Sequence, residues 1–400
     1  MQTKERILLL VLACVNFTHI VDFMILMPLG PQLMQIFGIS PKQFGYVVSA
    51  YGLSAAVSGF ALSFFADKFD RKKLLLAAYI GFVGGTLACA LAPTYEILFG
   101  ARLIAGLFGG MIGSQVLSII ADTFGYERRA SAMGVIMTAF SLASVVGVPG
   151  GLYLANLFGW HAPFFTVAAL GALVSFFIYR FVPAVNAHLS TSVKGGNPFA
   201  VLISIAKTPN QRRALGLTTV IMLGHFSIIP YISPSLVSNI GYKQSDIYLI
   251  YLVGGLLTIF SSPLVGKWAD KKGKLPIFTL FALLSMLPIF LITNLEPAPL
   301  YVILIISGLF FIFSNGRLVP VQALVSQVVN PQQRGGFMAI NSSLQLFAQA
   351  IATLIGGSII TQRTDGFIEN YEWVGYFAMA MLLLSLWIAR SIHVVNPNKE

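Results

Sequence analysis

Apolar residues in this chain come in long unbroken runs, with the polar residues gathered in short gaps between them. Runs of about 18 residues or more recur from end to end, each enough for a helix to cross roughly 30 Å of hydrocarbon. A transmembrane β-barrel would instead alternate apolar and polar positions over segments of about ten residues, and that alternation is missing. Spans are predicted near 7–28, 43–65, 74–92, 96–120, 130–155 and 161–182, then 213–235, 246–268, 275–294, 299–322, 335–360 and 371–391. A polar connection from Pro183 to Arg212 divides six from six. The predicted organisation is therefore an N-terminal bundle (1–182), a linker (183–212) and a C-terminal bundle (213–400).

Composition excludes a soluble protein. The chain is 56% hydrophobic and 10% charged, with a mean hydropathy of +0.82, where soluble domains average about 25% charged residues. The first run has a charged start at Lys4 and Arg6, which raises the question of a cleavable signal peptide. Its length, its internal Asp22 and the lack of a clean small-residue cleavage site identify it as a spanning helix instead. Cys14 and Cys89 fall inside predicted spans, so neither supports a disulfide framework. Without a gapped Cys/His pattern or a phosphate-cradling glycine loop, no metal, nucleotide or other cofactor is expected.

A net charge of +11 would suit nucleic acid, but its distribution does not. Lys68, Arg71, Lys72, Lys73, Arg128, Arg129, Lys194, Lys271, Lys272 and Arg334 all lie in loops on one side, whereas the other side keeps only Lys42, Lys243 and Arg363. By the positive-inside rule both termini and the linker are expected in the cytoplasm, in a multi-pass protein of the cell (inner) membrane. The lipid bilayer, not nucleic acid, is the expected surrounding.

The two halves repeat. SFFADKFDRKK (63–73) corresponds to GKWADKKGK (266–274), with Asp67 and Asp270 separated by 203 residues. RASAMG (129–134) corresponds to RGGFMA (334–339), and Gly150-Gly151 to Gly356-Gly357, at nearly the same offset. Parallel six-helix repeats of this kind are a transporter architecture, with substrate bound near the midplane. On these residues the chain resembles the major facilitator superfamily over essentially its whole length. The 63–73 segment is similar to that family's loop motif between helices two and three, except that Ser63 and Asp70 stand where glycines are expected. ASVVGVPGG (143–151) resembles the Gly-Pro signature of drug:proton antiporters, in a spacing similar to the sugar- and purine-efflux-like branch. The resemblance implies a twelve-helix, all-α membrane fold of two pseudo-symmetric bundles, working as a monomer.

Asp22 dominates the candidate chemistry. A carboxylate within a span costs roughly 2.5–3.5 kcal/mol on the insertion scale, and such groups usually face a bundle interior or handle protons, ions or substrate. It lies about 22 Å from the cytoplasmic end of its predicted helix, while Arg102 enters the fourth span from the opposite side and lies about 9 Å deep. The two are therefore at similar depth, and the resemblance makes helices one and four neighbours. An acid that alternates between pairing with Arg102 and holding a proton is a switchable site; the alternative is a static ion pair that locks the helices. Asn16, His19 and Asp22 step by three and share one helical sector roughly 120° wide, so they can line one cavity. His19 is either a proton relay or a histidine bonded to the helix backbone. His225 precedes Pro234 by nine residues, as Asp22 precedes Pro31, and is the pseudo-symmetric counterpart. It is either a cavity residue or a satisfied core histidine.

Gln115, Asn341 and Gln345 are further cavity candidates, with interhelical hydrogen bonding as the alternative. Arg317 is expected near the cytoplasmic end of the tenth span, snorkelling to the interface. Conformational gating falls to the loop motif and its neighbours. In the first half these are Asp67, Arg71 and Lys72, with Asp122 and Arg129 as expected partners. In the second half they are Asp270 and Lys274; in the fifth span, within the first half, Gly147, Pro149 and Gly151 supply close packing and a kink. The expected function is proton-driven export of a small organic molecule or drug, not enzyme catalysis. The alternatives are a proton symporter or uptake facilitator, a membrane-embedded enzyme, and a non-transporting sensor.

Overall fold

A computed structural model describes residues 3–62, 64, 66–124, 126–186, 203, 205, 207–330 and 334–393. In chain order the helices are α1 (Thr3–Ile25), α2 (Gly30–Phe37), α3 (Pro41–Leu62), α4 (Arg71–Ala90), α5 (Tyr95–Thr123), α6 (Tyr126–Leu142), α7 (Val148–Phe158) and α8 (His161–Phe181). After the linker come α9 (Pro209–Phe226), α10 (Ile229–Ser238), α11 (Ile247–Lys272), α12 (Lys274–Thr293), α13 (Leu300–Ser326), α14 (Arg334–Ile359) and α15 (Tyr371–Arg390). Among the described residues, twelve spans are long and apolar enough to cross a membrane. Two of them are built from paired segments, α6 with α7 and α9 with α10. Each predicted span overlaps one of these twelve, with ends displaced by a few residues.

The exterior is as apolar as the composition demands. Phe158, Phe260 and Trp387 are about 70% exposed, which suits side chains facing lipid rather than water. With no water in hydrocarbon to drive burial, helix association depends on close packing of small residues. Gly106 and Gly110 on α5 show it: a Cβ at either position would collide with the backbone carbonyl of Tyr51 or Ala55 on α3.

Contacts group the chain into two compact units, Met1–Leu29 with Ala50–Asn197, and Gly30–Ser49 with Pro198–Glu400. The grouping differs from a simple six-and-six division in one respect: α2 and the first half of α3 belong with the second unit. There Gly45 abuts Tyr231, whose hydroxyl donates to the Thr353 carbonyl at 2.8 Å. The core of that unit is built on Phe278, Val325 and Phe337, all nearly solvent-free. A two-residue antiparallel ladder, Thr361–Gln362 against Ile368–Glu369, closes the turn before α15.

Two local features depart from the expected pattern. The span containing the Gly-Pro segment widens into a π-helical turn at Ala143–Gly147, just before Pro149 opens α7. Such bulges are concentrated at functional sites. At the loop motif, the first half replaces a glycine with Asp70, which adopts φ −59° and caps α4 by accepting from the Lys73 amide at 3.1 Å. The corresponding Gly273 keeps φ +94°, a conformation that favours glycine. The two halves thus start equivalent helices by different means. Asp70→Ala should lower thermal stability by about 1 kcal/mol, as for loss of an ordinary N-cap. Thermal unfolding of the purified protein checks this, and an unchanged midpoint would show that the cap contributes nothing.

Candidate functional site

The first unit encloses a charged pair in an apolar interior. Asp22 lies near the end of α1 and is fully buried, as is Arg102 two turns into α5. Arg102 Nη1 donates to Asp22 Oδ2 at 2.7 Å, and Thr86 Oγ1 on α4 donates to Asp22 Oδ1 at 3.0 Å. The carboxylate is therefore held by three helices at once. Beneath the guanidinium lies the ring of Tyr51, 4.4 Å from its central carbon to the ring centroid, a cation–π contact that does not involve the carboxylate. Arg102 Nε and the Tyr51 hydroxyl have no partner among the described residues. The site is ionic but not saturated.

The glycine-mediated approach of α5 to α3 creates this arrangement. With a larger residue at Gly106, α3 could not bring Tyr51 beneath Arg102. Thr86 was not among the sequence candidates, because a lone threonine in an apolar span carries no charge signal.

His19 lies one turn before Asp22. Both its ring nitrogens are buried without a hydrogen-bond partner among the described residues, and Nε2 lies beside the α5 backbone at Gly109. Its ring packs against Tyr51 and Phe82. Asn16, a further turn away, donates to the Ile136 carbonyl on α6 at 3.4 Å. Gln115 is buried on α5 with both amide atoms unpartnered among the described residues. A dry, unpaired amide is destabilising by about 1–3 kcal/mol, so its position favours a ligand or water contact over simple packing.

In the second unit, His225 faces Arg317, whose Nη2 lies 3.1 Å from His225 Nδ1, while Arg317 Nη1 donates to Ser285 Oγ at 2.9 Å. This corrects the expectation that Arg317 snorkels to an interface. It is only 1% exposed, because α13 runs on to Ser326 and leaves Arg317 nine residues inside the helix. Asn341 is buried on α14 with Oδ1 unpartnered among the described residues, and Gln345 is half-buried one turn on.

The gating candidates are dispersed. Arg71 Nε binds Asp122 Oδ2 at 3.2 Å, tying the start of α4 to the end of α5. Lys72 instead lies over the Tyr179 ring of α8. Asp67 occupies the short turn Ala66–Lys68; its side chain and that of Arg129 lie outside the described residues. Gly147 packs against Val21 on α1, and Gly151 against Ile25 and Pro163, with Pro149 buried between them. Asp270 is exposed near the end of α11, and Lys274 donates to Gln327 Oε1 at 2.9 Å.

Comparison with known proteins sets this geometry in context. A family model described as Major Facilitator Superfamily matches residues 12–318. An uncharacterized MFS-type transporter, YbcL of Bacillus subtilis (strain 168), is 25% identical over 384 residues, covering 95% of each chain. A probable sugar efflux transporter of Helicobacter pylori (strain J99) is 22% identical, over 90% of this chain and 88% of that one. In three dimensions, the chain is similar to a bacterial homologue of the human lysosomal transporter Spinster. The TM-score is 0.81 at 15% identity, over 99% of this chain and all of the other.

Proposed function

The chain belongs to the Major Facilitator Superfamily, and from that premise we propose that it exports a small organic molecule in exchange for protons, by alternating access. The observation that carries this reading is the enclosure of Asp22, a carboxylate in an apolar bundle, bonded to Arg102 and Thr86 and flanked by His19, whose ring nitrogens have no hydrogen-bond partner among the described residues. Proton arrival at Asp22 cancels its attraction for Arg102, and Tyr51 then retains the guanidinium. A charge-dependent bond between α1, α4 and α5 is thereby made and broken once per cycle. Since a ligand moves a conformational equilibrium only through differential affinity for its states, the same bond lets the proton bias which state predominates.

In this reading the outward direction is supported by the efflux relative, and the basic loops support cytoplasmic termini. In this reading the working halves are 1–182 and 213–400 joined by 183–212. Gln115, His225, Asn341 and Gln345 face substrate. Arg71 with Asp122, together with the π-helical turn before Pro149, belongs to the gating machinery.

The test is reconstitution in liposomes holding a pH-sensitive dye, with an imposed proton gradient and a mixed panel of sugars, purines, lipophilic cations and organic acids. Export in exchange for protons requires a panel member to dissipate the gradient while itself moving in the opposite direction. Co-directional movement of proton and substrate would overturn antiport in favour of symport. Substrate flux indifferent to the gradient would overturn proton coupling.

A further inference from the structure

Arg317 is a second buried arginine, and among the described residues it has no carboxylate partner. Its two neighbours in the second unit, Ser285 and His225, are hydrogen-bonded to different nitrogens of the guanidinium, and among the described residues Nε is unpartnered. A guanidinium has five N–H donors and no acceptor, so the His225 nitrogen facing it must be the acceptor and the ring proton resides on Nε2. Both partners are therefore neutral, and no acidic side chain among the described residues forms an ion pair with Arg317. Arg102 has Asp22 at 2.7 Å; Arg317 is as deeply buried without a counter-ion among the described residues. Buried charges are ordinarily paired or bound to a ligand. An intramembrane arginine held by neutral groups is organised to receive an anion from elsewhere.

The surroundings narrow which anion. Among the described residues Nε–H is unpartnered and each Nη group has one partner, which leaves enough donors for a two-point fork onto a carboxylate. The neighbourhood of His225 is aromatic: its ring stacks on Phe310 at 6.1 Å and meets Phe226 edge-on at 5.3 Å. Ser314, one turn before Arg317 on α13, is a further buried hydroxyl with no partner among the described residues. We propose that Arg317 is an anion-binding residue for an organic substrate, receiving the carboxylate of a molecule with an apolar body, with Ser285 and His225 holding the guanidinium in position. That the bound carboxylate is cargo rests on the export reading; that it binds does not.

The full-length protein, purified in detergent, would be titrated calorimetrically with benzoate and hexanoate, with their neutral amides, and with inorganic phosphate. Both carboxylates should bind the wild type. Arg317→Gln should weaken that binding at least tenfold, Arg317→Lys less, and the amides should bind weakly and equally to all three. Should Arg317→Gln fail to fold, Ser285→Ala leaves the charge but frees the guanidinium, and severalfold weaker carboxylate binding is expected. Wild-type protein that binds neither carboxylate, binds phosphate or the amides as well, or loses no affinity in these variants overturns the proposal. If carboxylates bind through Arg317 but drive no proton movement in liposomes, the export reading fails and the anion site stands.

Discussion

Asp22→Asn should reduce substrate-dependent proton movement in liposomes at least tenfold while leaving a folded protein. Asparagine preserves the volume of the side chain, an oxygen for Arg102 and a group for Thr86 to meet, so packing of α1 against α4 and α5 is retained. What it removes is the only acidic charge bonded to Arg102 among the described residues. Loss of flux alone could come from a distorted helix, so a second measurement separates the two explanations. In an exchanger that alternates between proton and substrate, the two compete, and substrate affinity falls as pH is lowered. For one proton, the fall approaches about tenfold per pH unit, and the coupling acts on both ligands alike. In Asp22→Asn that pH dependence should flatten. Wild-type proton flux in the variant would show that Asp22 is structural. A pH slope that survives would move the coupling proton to His19, one turn before Asp22 on α1.

How much of this was readable in the sequence depends on where the signal lies. Spans were legible because a bilayer permits only long apolar helices, and an aspartate inside one is conspicuous. Counting residues brought Asp22 and Arg102 to one depth, and they are in contact. Thr86 and Tyr51 were not legible, since their relevance comes from the close approach of α3 and α4 to α5, a property of packing rather than of any one residue. Arg317 was misplaced for a related reason. Pro320 and Gln322 make the end of the tenth span read as interface, yet helix α13 continues through both to Ser326. The π-helical turn at Ala143–Gly147 had no signal beyond its small and β-branched residues. Nor did any local pattern indicate that residues 30–49 pack with the second unit, because that grouping is set by contacts distant in sequence.

Arg102→Leu should be the most destabilising single change in the first unit, by about 3–5 kcal/mol, the usual cost of removing one partner from a buried ion pair. Leucine fills part of the space but leaves Asp22 with only the Thr86 hydroxyl. Tyr51 also loses the cation over its ring. The larger part of the loss comes from the stranded carboxylate, left without its counter-charge in an apolar interior. Two consequences distinguish this from lost packing. First, acidification should restore part of the lost stability, since a protonated Asp22 is neutral and sheds the cost of an unpaired charge; lost packing would respond to pH as the wild type does. Second, the double variant Asp22→Asn with Arg102→Leu should be more stable than Arg102→Leu alone, despite carrying one more substitution. Thermal unfolding of the four proteins of this cycle, measured at two pH values, gives the coupling directly. If the two changes add, the pair is an incidental contact in the bundle. If the second rescues the first, the carboxylate is tolerated only because of the arginine, and a proton that neutralises it changes how tightly α1 and α5 are held together.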